Sequence, residues 1–444
     1  MGYFHRVCSP ARWGLRGAAA QTSLVLSLLF LVVYGSCNWI TAQRTDVGTW
    51  YFAWERHIPF VPLMIVPYMS IDLFFVAAPF LCENGQELQT FARRIGFAII
   101  VAGVCFLVLP LRFAFERPVA TGWLGSIFDM FRNFDQPYNL FPSLHITLRT
   151  VLADLYARHS RGSVYVLLQV WFSLIGFSTV LTYQHHLIDI LGGFVLAAIC
   201  FYLFREIPIR LPVMPNPRIG AYYGLGAVLS LGLAVMTWPW GSGLLWPGVA
   251  LSILTTAYYG AGPGIFRKQA GRLPLSTWVL LGPVLLGQYL SLQYYRRQCR
   301  PWDAVVPGVL IGRKLSDAEA QEAVCQGVTA VLDLTGEFSE ATPFLTTTYR
   351  NLPVLDLTAP TTEQLREAAC FIAEQAAHGT VYVHCKIGYS RSAAAVGAYL
   401  LASGQAATAT DVVEHLRQVR PAIIVRPEVW DALQTFAQTA NLHL

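Results

Sequence analysis

Residues 380–392 read Thr-Val-Tyr-Val-His-Cys-Lys-Ile-Gly-Tyr-Ser-Arg-Ser, an apolar run followed by a glycine-containing loop and the beginning of a predicted helix. In such a strand–loop–helix connection, successive backbone N–H groups point at one position above the helix N-terminus and bind an anion there. The pKa of the Cys385 thiol should be lowered, because the loop amides, the helix dipole and Arg391 all favour the thiolate. The stretch therefore predicts a nucleophilic cysteine beside an anion site.

The residue types in this loop suit attack on a phosphate ester. Cys385 would attack phosphorus, and the planar guanidinium of Arg391 would hold two phosphate oxygens and stabilise the transition state. Gly388 permits the tight turn, and Ser392 can hydrogen-bond to the departing sulfur. The residues expected to bind the phosphate are Lys386, Ile387, Gly388, Tyr389, Ser390 and Ser392.

The leaving group needs a proton, and two aspartates precede the cysteine loop. Asp356 follows a predicted strand, 349–355, and lies in a loop that could fold over the cysteine. Asp333 lies inside a strand-like run, where a structural role is expected. Asp356 is therefore the predicted general acid.

These residues carry a resemblance to a known family. Residues 302–444 resemble the dual-specificity subgroup of the cysteine-dependent protein tyrosine phosphatases, whose signature is H-C-x5-R-[ST]. His384, Cys385, Arg391 and Ser392 match its fixed positions. The resemblance implies an α/β domain that forms a phosphocysteine intermediate, in a family that contains both protein and lipid phosphatases.

Much of the chain is too apolar for a soluble protein. Of its 444 residues, 55% are hydrophobic and 13% charged, so part of it is expected to lie in lipid. Apolar windows near the roughly 20 residues of a spanning helix occur at 18–40, 58–81, 95–113, 163–182, 187–204, 218–238, 243–260 and 274–294. The net charge of +5 is not gathered into a basic stripe, which disfavours nucleic-acid binding. The nine cysteines form no CxxC pair, which disfavours a disulfide scaffold or a zinc site.

Clusters of basic residues alternate along the chain and predict its orientation. The clusters at 6–16, 93–94, 158–161, 205–210 and 267–272 would lie in the cytoplasm. The window 274–294 contains Pro283 and Gln288, and two interpretations of it stay open. If it spans, the C-terminal domain is extracytoplasmic; if it is re-entrant or interfacial, that domain stays in the cytoplasm. A thiolate of low pKa survives best in a reducing compartment, which favours the cytoplasm.

A second group of polar residues lies among the apolar windows. His145 begins one predicted helix, His185 and Asp189 lie between two others, and Arg117 follows the third window. By the arginine pattern all of them lie on the extracytoplasmic side. His185 and Asp189 are one helical turn apart, so the carboxylate could fix the imidazole tautomer. Ionisable residues at membrane depth indicate a functional site, here a candidate phosphate site.

This group resembles the type 2 phosphatidic acid phosphatase (PAP2) superfamily over about residues 90–204. The family pattern is K-x6-R-P, then P-S-G-H, then S-R-x5-H-x3-D. The matching positions are Arg117, Pro118, Pro142, Ser143, His145, Ser178, His185 and Asp189. The resemblance implies that His185 is a nucleophile, His145 an acid and base, and Asp189 the residue that orients the imidazole. Arg117 and Ser143 would bind the phosphate.

Three positions depart from the PAP2 pattern. Pro110 replaces the lysine, Leu144 the glycine and Thr179 the second arginine. A phosphate pocket without two cations binds an anion less well. The variant is similar to the inositol phosphorylceramide synthase-like branch, in which a phospho-head group passes to another alcohol. Polar packing between helices, or a degenerate site, is the alternative.

The predicted fold class is a multi-pass α-helical membrane bundle of PAP2 type followed by an α/β cysteine-phosphatase domain. The bundle would cover 1–205, further transmembrane or interfacial helices 206–298, and the phosphatase domain 299–444. The combination resembles bacterial fusions of the two domains. It implies an inner-membrane enzyme that acts on a phospholipid or lipid-linked phosphate and needs no metal, cofactor or nucleic acid. A membrane-anchored phosphatase of phosphoproteins with a non-catalytic helical domain is the alternative.

Overall fold

The computed structural model describes residues 10–134, 136–206 and 213–440. The chain divides into two compact units, Met1–Pro208 and Ile209–Leu444. The first unit is helical, and the second combines three apolar helices with a five-stranded α/β domain. Arg6 and Arg210, which belong to the predicted basic clusters, lie outside the described residues.

The described part of the first unit contains seven α-helices. They are α1 (Pro10–Ala42), α2 (Ile65–Ala77), α3 (Gly85–Val108), α4 (Gly122–Phe134), α5 (Leu144–Arg158), α6 (Gly162–Leu181) and α7 (Leu187–Leu203). Apolar side chains on α1, α3 and α6, such as Leu31, Val104 and Leu167, are exposed on the outer surface. Helices that are apolar on their outer face as well as their inner face are typical of a membrane bundle.

Helix α5 lies inside this bundle and packs against α2, α3, α6 and α7. Leu148, Leu152 and Leu155 on α5 are buried in the apolar core of the unit. His145 lies at one end of the helix. At the other end Arg158 forms ion pairs with Glu87, Asp154 and Glu206. The histidine end and the basic end of α5 are therefore separated by about 20 Å, the length of 13 helical residues.

Within the described residues, six helical segments are long and apolar enough to cross a membrane. They are Gly14–Ala42, Pro62–Leu81, Gly85–Val108, Gly162–Leu181, Pro217–Met236 and Leu275–Tyr295. Two predicted windows fall short of this length. The window 187–204 is α7, whose apolar stretch is too short, and the window 243–260 contains an α-helix of 12 residues. That helix ends in a π-turn in which Gly260 has φ 133°, a conformation that breaks the helix.

The second unit begins with α8 (Pro217–Met236), α9 (Leu245–Thr256) and α10 (Leu275–Tyr295). Helices α8 and α9 pack side by side and are joined by a short connection that carries Trp238 and Trp240. Both tryptophans are exposed. Helix α10 packs against α9 through an apolar cluster that includes Leu281, Leu285 and Leu254.

The α/β domain follows α10 directly. Its strands are β1 (Trp302–Val306), β2 (Val309–Arg313), β3 (Val328–Asp333), β4 (Thr348–Asn351) and β5 (Thr380–Cys385). Its helices are α11 (Asp317–Cys325), α12 (Thr362–Ala376), α13 (Arg391–Ala402), α14 (Ala409–Val419) and α15 (Pro427–Ala440). The sheet order is β1-β2-β5-β3-β4. The parallel pairs are β2 with β5, β3 with β5 and β3 with β4.

Local features of the sequence explain several elements of this domain. The first two strands, β1 and β2, form an antiparallel pair, because Gly308 has φ 79° and turns the chain between them. The strand predicted at 349–355 ends at Asn351. The helix after β2 is capped by Ser316, whose hydroxyl accepts from the N–H of Glu319 while the Glu319 carboxylate accepts in return.

The centre of the sheet decides where the site lies. Strand β5 is flanked by parallel neighbours on both sides, and its last residue is Cys385. The chain then forms the loop 386–390 and enters α13, whose alanines are buried in the core and let this helix pack close to the sheet. In open parallel sheets, ligands bind beyond the carboxyl ends of the strands. The cysteine loop lies at that position.

Candidate functional site

Cys385 lies at the bottom of a loop whose amides face its sulfur. The N–H of Gly388 donates to Sγ at 3.3 Å, and the hydroxyl of Ser392 lies 3.5 Å from Sγ. Gly388 has φ 80°, and a Cβ there would come within 2.5 Å of the Gly312 carbonyl oxygen. Only glycine therefore fits this turn without displacing strand β2.

The environment of Cys385 lowers the pKa of its thiol. Burial by itself would raise that pKa, because it disfavours the charged form. The positive charge of Arg391, the hydroxyl and N–H of Ser392 and the N–H of Gly388 outweigh the effect of burial. The geometry agrees with the predicted thiolate.

Arg391 is buried and held in one orientation by a carboxylate that the sequence did not reveal. Its Nη2 lies 2.7 Å from Oε1 of Glu337 and its Nη1 lies 3.2 Å from Oε2, which is a bidentate pair. Nη1 also donates to the carbonyl of Val354 at 2.8 Å. Glu337 lies in the segment Asp333-Leu-Thr-Gly-Glu after strand β3, and its position beyond a strand end was the available signal.

Asp356, the predicted general acid, lies within the same charge cluster. Its Oδ1 lies 3.4 Å from Nη2 of Arg391, and its Oδ2 is paired with Nζ of Lys386. Burial would raise the pKa of Asp356, but the charges of Arg391 and Lys386 outweigh it and lower the pKa. Without substrate, Asp356 is therefore an ionised partner of two cations.

The predicted phosphate-binding residues do not all have the same surroundings. The side chain of Lys386 binds Asp356 and the amide oxygen of Gln288. It therefore points at the loop that carries Asp356, residues 352–361, which we call the acid loop. Ile387 packs against Phe338 and Leu292. The hydroxyl of Ser390 is buried and makes no hydrogen bond within the described part of the chain. A buried hydroxyl without a partner can hydrogen-bond to a phosphate oxygen that enters the site.

Arg420 holds the outer side of the cysteine loop. Its Nε donates to the carbonyl of Gly388 at 3.1 Å, and its Nη2 donates to the carbonyl of Ile387 at 3.2 Å. Its Nη1 pairs with Asp303 at 2.6 Å. Because these carbonyls are turned outward, the N–H groups of the loop can face inward. Arg420 follows α14 and lies far from the loop along the chain, so no local pattern in the sequence links it to the loop.

A second set of buried charges lies below the loop. The carboxylate of Asp333 accepts hydrogen bonds from Lys268 and Tyr349, and Glu340 pairs with His384 at 2.8 Å and Lys314 at 3.3 Å. Asp333, Glu340 and His384 bring ligand-type atoms close together, as in a metal site. The two lysines already balance both carboxylates, and Asp333 has the structural role that the sequence analysis expected.

In the first unit, the structure brings four of the five predicted residues together. His185 Nδ1 lies 3.6 Å from Asp189 Oδ2, which also accepts from the backbone N–H of His186 at 2.8 Å. The N–H of Ser143 donates to the carbonyl of Asp189 at 2.9 Å. His145 and His185 line one cavity of about 490 Å³. Apart from these histidines its walls are largely apolar and include Phe30, Tyr34, Tyr68 and Leu148, with Asp72 and Asn139 as further polar residues.

The fifth predicted residue, Arg117, is not among the described residues that line that cavity. Its guanidinium carbon lies 5.9 Å from the ring centroid of Phe113. Phe113 stacks on His186, whose Nδ1 lies 2.9 Å from the buried carboxylate of Glu55. Glu55 was not identified from the sequence. The Glu55 carboxylate also accepts from the N–H of Leu187 at 3.2 Å. Glu55 therefore holds both His186 and the first residue of α7 in place.

Comparisons with known proteins agree with this architecture. Residues 47–203 match the family model described as PAP2 superfamily, and residues 311–439 match the model described as dual specificity phosphatase, catalytic domain. Each of the two models therefore matches a separate region of the chain. The predicted fold class, a helical PAP2-type region followed by an α/β phosphatase domain, is confirmed.

Similar proteins align with the dual specificity phosphatase domain. Phosphatidylglycerophosphate phosphatase PTPMT2 of Arabidopsis thaliana is 28% identical over 167 residues, 36% of this chain and 72% of the relative. A crystal structure of PTPMT1 is 25% identical, covers 32% of this chain and 97% of its own, and has a TM-score of 0.30. The structure of PTPMT1 in complex with PI(5)P is 23% identical, covers 32% and 99%, and has a TM-score of 0.30.

Alkylation should reveal the charge state of Cys385. Because its pKa is lowered, the pH midpoint of iodoacetamide alkylation in the native protein should lie below the midpoint of the same cysteine in the urea-unfolded chain. Arg391→Ala should raise the native midpoint, since it removes the cation nearest the sulfur. Arg366→Ala, an exposed arginine on α12, is the matched control. Peptide-resolved mass spectrometry measures the rates, and equal native and unfolded midpoints would contradict the assignment.

Arg420→Ala should reduce turnover without removing any group that touches the substrate. If the loop amides lose their orientation by about 1 Å, a fall in kcat of about 10²-fold is expected. Arg417→Ala, an exposed arginine in the last turn of α14, should have no effect. The alkylation midpoint of Cys385 should rise together with the fall in kcat. If Arg420→Ala lowers the thermal stability but leaves the alkylation midpoint of Cys385 and the kcat of the folded enzyme unchanged, Arg420 contributes to folding only.

Proposed function

We propose that this protein is a membrane phosphatase that hydrolyses the phosphate monoester of a lipid through a phosphocysteine at Cys385. The observation that carries the proposal is the anion site around its sulfur. Amides of the loop and the fixed guanidinium of Arg391 surround one position at the end of β5. Preorganised donors of this kind stabilise the charge that develops on a transferring phosphoryl group.

The proposed first step forms a sulfur–phosphorus bond and breaks the phosphorus–oxygen bond to the lipid. The thiolate of Cys385 supplies the electron pair, and the leaving alkoxide takes a proton from Asp356. In the second step Asp356 takes a proton from water, which attacks the phosphocysteine. Inorganic phosphate leaves, and the thiolate of Cys385 returns.

To act as a general acid, Asp356 must be protonated, but the unliganded site favours its ionised form. Its carboxylate is paired with Arg391 and Lys386. A bound phosphate monoester brings close to two negative charges to the same cations. It competes with Asp356 for them, and as a like charge it raises the pKa of the carboxyl group. Substrate binding therefore favours the protonated acid that the first step needs.

Two observations favour a lipid over a phosphoprotein. The similar protein from Arabidopsis thaliana is named a phosphatidylglycerophosphate phosphatase. In this chain the cysteine loop also contacts an apolar helix of its own unit, because Lys386 bonds to Gln288 and Ile387 packs against Leu292. A phosphatase whose helices were only an anchor would not require its catalytic loop to rest on one of them.

The histidine site is proposed as a second place of lipid phosphate chemistry. Its cavity of about 490 Å³ has apolar walls that suit an acyl or isoprenoid chain. His185 would attack phosphorus and displace the alcohol of the substrate, to which His145 would give a proton. In the second step His145 would take a proton from the water or acceptor alcohol that attacks the phosphohistidine, which releases His185. Asp189 would orient His185. Hydrolysis and transfer of the head group to another alcohol are both consistent with a site in which Arg117 lies outside the cavity lining.

The α/β domain is proposed to lie in the cytoplasm, with the helices in the inner membrane. Basic residues of the second unit lie at the start of α8 and between α9 and α10, namely Arg218, Arg267, Lys268 and Arg272. The connection between α8 and α9 contains no charged residue. The excess of positive charge marks the cytoplasmic ends of membrane helices, and a reducing compartment preserves the thiolate of Cys385.

A substrate panel tests the lipid assignment. The full-length protein in vesicles should hydrolyse phosphatidylglycerophosphate with a kcat/KM at least about tenfold above that for phosphotyrosine and phosphoserine peptides, a difference of about 1.4 kcal/mol in transition-state stabilisation. Released inorganic phosphate is the measurement. Higher efficiency on the peptides would overturn the lipid proposal and favour the phosphoprotein alternative.

Two substitutions assign the chemistry to the sites. Cys385→Ser should lower phosphatidylglycerophosphate hydrolysis by at least about 10³-fold, and His185→Ala should leave it unchanged. With short-chain phosphatidic acid and an acceptor alcohol, Cys385→Ser should retain a turnover that the further change His185→Ala removes. Cys370→Ser and His57→Ala, both exposed, are the matched controls. A Cys385→Ser enzyme without any turnover would leave the histidine site without demonstrated chemistry.

A further inference from the structure

Helix α10 makes contacts with the α/β domain at both of its ends. Before its first turn, the N–H of Leu273 donates to the hydroxyl of Ser339 at 3.0 Å, and Arg272 Nη2 donates to the hydroxyl of Thr342 at 2.8 Å. Beyond its last turn, Arg296 pairs with Glu319 at 3.2 Å. A helix of 21 residues is about 31 Å long, so these contacts are spread along one side of the domain.

A helix that crosses a bilayer cannot make this set of contacts with a domain on one side. The hydrocarbon core is about 30 Å thick, so the two ends of a crossing helix lie on opposite surfaces. The partners of α10 include the ionised Glu319 at one end and the hydroxyl of Thr342 at the other. Placing both in the same water-exposed domain requires α10 to lie along the surface of that domain.

One face of α10 packs on protein and the other is exposed, as expected for a helix that lies along the surface of the domain. The inner face, with Leu281, Leu285, Gln288 and Leu292, packs on α9 and the cysteine loop. The outer face is apolar and exposed, and its residues follow helical spacing. These outer residues are Leu275, Trp278, Leu286, Tyr289, Leu290 and Tyr294. An exposed face of apolar and aromatic side chains, followed by the exposed Arg297, is a surface that can enter the head-group region of a membrane.

The neighbouring helices provide an anchor for this arrangement. Asn216, just before α8, donates to the carbonyl of Leu357 at 3.1 Å, and the hydroxyl of Tyr258, just after α9, donates to the carbonyl of Asp356 at 2.8 Å. The beginning of α8 and the end of α9 therefore both contact the acid loop. The exposed Trp238 and Trp240 lie at the far end of the pair, where aromatic residues mark a membrane boundary.

We infer that α10 is an interfacial helix, which forms one wall of the cysteine site and holds that site against the lipid head groups. Its inner face contributes Gln288 beside Lys386, and its outer face enters the bilayer surface. A lipid phosphate then reaches Cys385 while its chains stay in the membrane. The position of α10 is inferred from its contacts with the α/β domain, whereas the route of the lipid rests on the proposed function.

Labelling from each side of the membrane tests the position of α10. Gln269→Cys and Gln298→Cys place exposed thiols before and after the helix, and the exposed Cys370 marks the side of the α/β domain. A membrane-impermeant maleimide is added to sealed right-side-out and inside-out vesicles, and labelled peptides are identified by mass spectrometry. Both new thiols should react in the same vesicles as Cys370. Reaction of the two in opposite vesicles overturns the inference, whatever the substrate of the enzyme.

A second pair of variants tests the outer face and does not depend on topology. Leu290→Glu should raise KM for vesicle-borne lipid phosphate by about tenfold or more, because it places a charge in the interface. The turnover of p-nitrophenyl phosphate, which is soluble in water, should stay the same and reports correct folding. Leu290→Phe is the control and should preserve both activities. Equal losses on both substrates, or no loss on either, would remove the membrane contact from the proposal.

Discussion

The stabilisation of a thiolate at Cys385 is the constraint on which the rest of the phosphatase domain depends. A buried negative charge is unfavourable unless hydrogen bonds and opposite charges compensate it. Here the N–H of Gly388, the Ser392 hydroxyl and Arg391 do so. Each of these groups needs support of its own, because a loop amide or a guanidinium that could turn away would leave the sulfur uncompensated. Glu337 fixes the guanidinium, and Arg420 fixes the loop carbonyls.

The supporting residues explain why so many charges are buried in a small domain. Arg391 pairs with Glu337, Arg420 with Asp303, and Lys268 with Asp333. Removing one partner of such a pair typically costs about 3–5 kcal/mol, because the other charge remains buried without compensation. The pairs add little net stability compared with an apolar core. Their effect is to allow few arrangements of the loops around the sulfur, which is what catalysis by preorganised donors requires.

The sequence reveals the parts of this site that are close together along the chain. The strand, glycine turn and helix of the cysteine loop follow from 13 consecutive residues, and the pair of His185 with Asp189 follows from a separation of four residues at the start of α7. Glu337, Arg420 and Glu55 contact their partners across 54, 32 and 131 positions. No local pattern distinguishes such residues from surface charges. Hydropathy also could not decide the position of α10, since a crossing helix and an interfacial helix of this length have similar mean composition.

The contacts of the acid loop suggest why the α/β domain and α8–α10 form one compact unit. Asp356 lies in a segment whose carbonyls accept from Tyr258 and Asn216, and its cationic partner Lys386 also bonds to Gln288. As the proposed general acid, Asp356 is ordered where α8–α10 place it, and the entropy of positioning it is lost on folding instead of during catalysis. A soluble phosphoprotein can approach from any direction, so this arrangement would offer it no advantage. For the lipid phosphate that is proposed as the substrate, the arrangement sets the acid and the nucleophile at the level of the head groups, where that substrate is found.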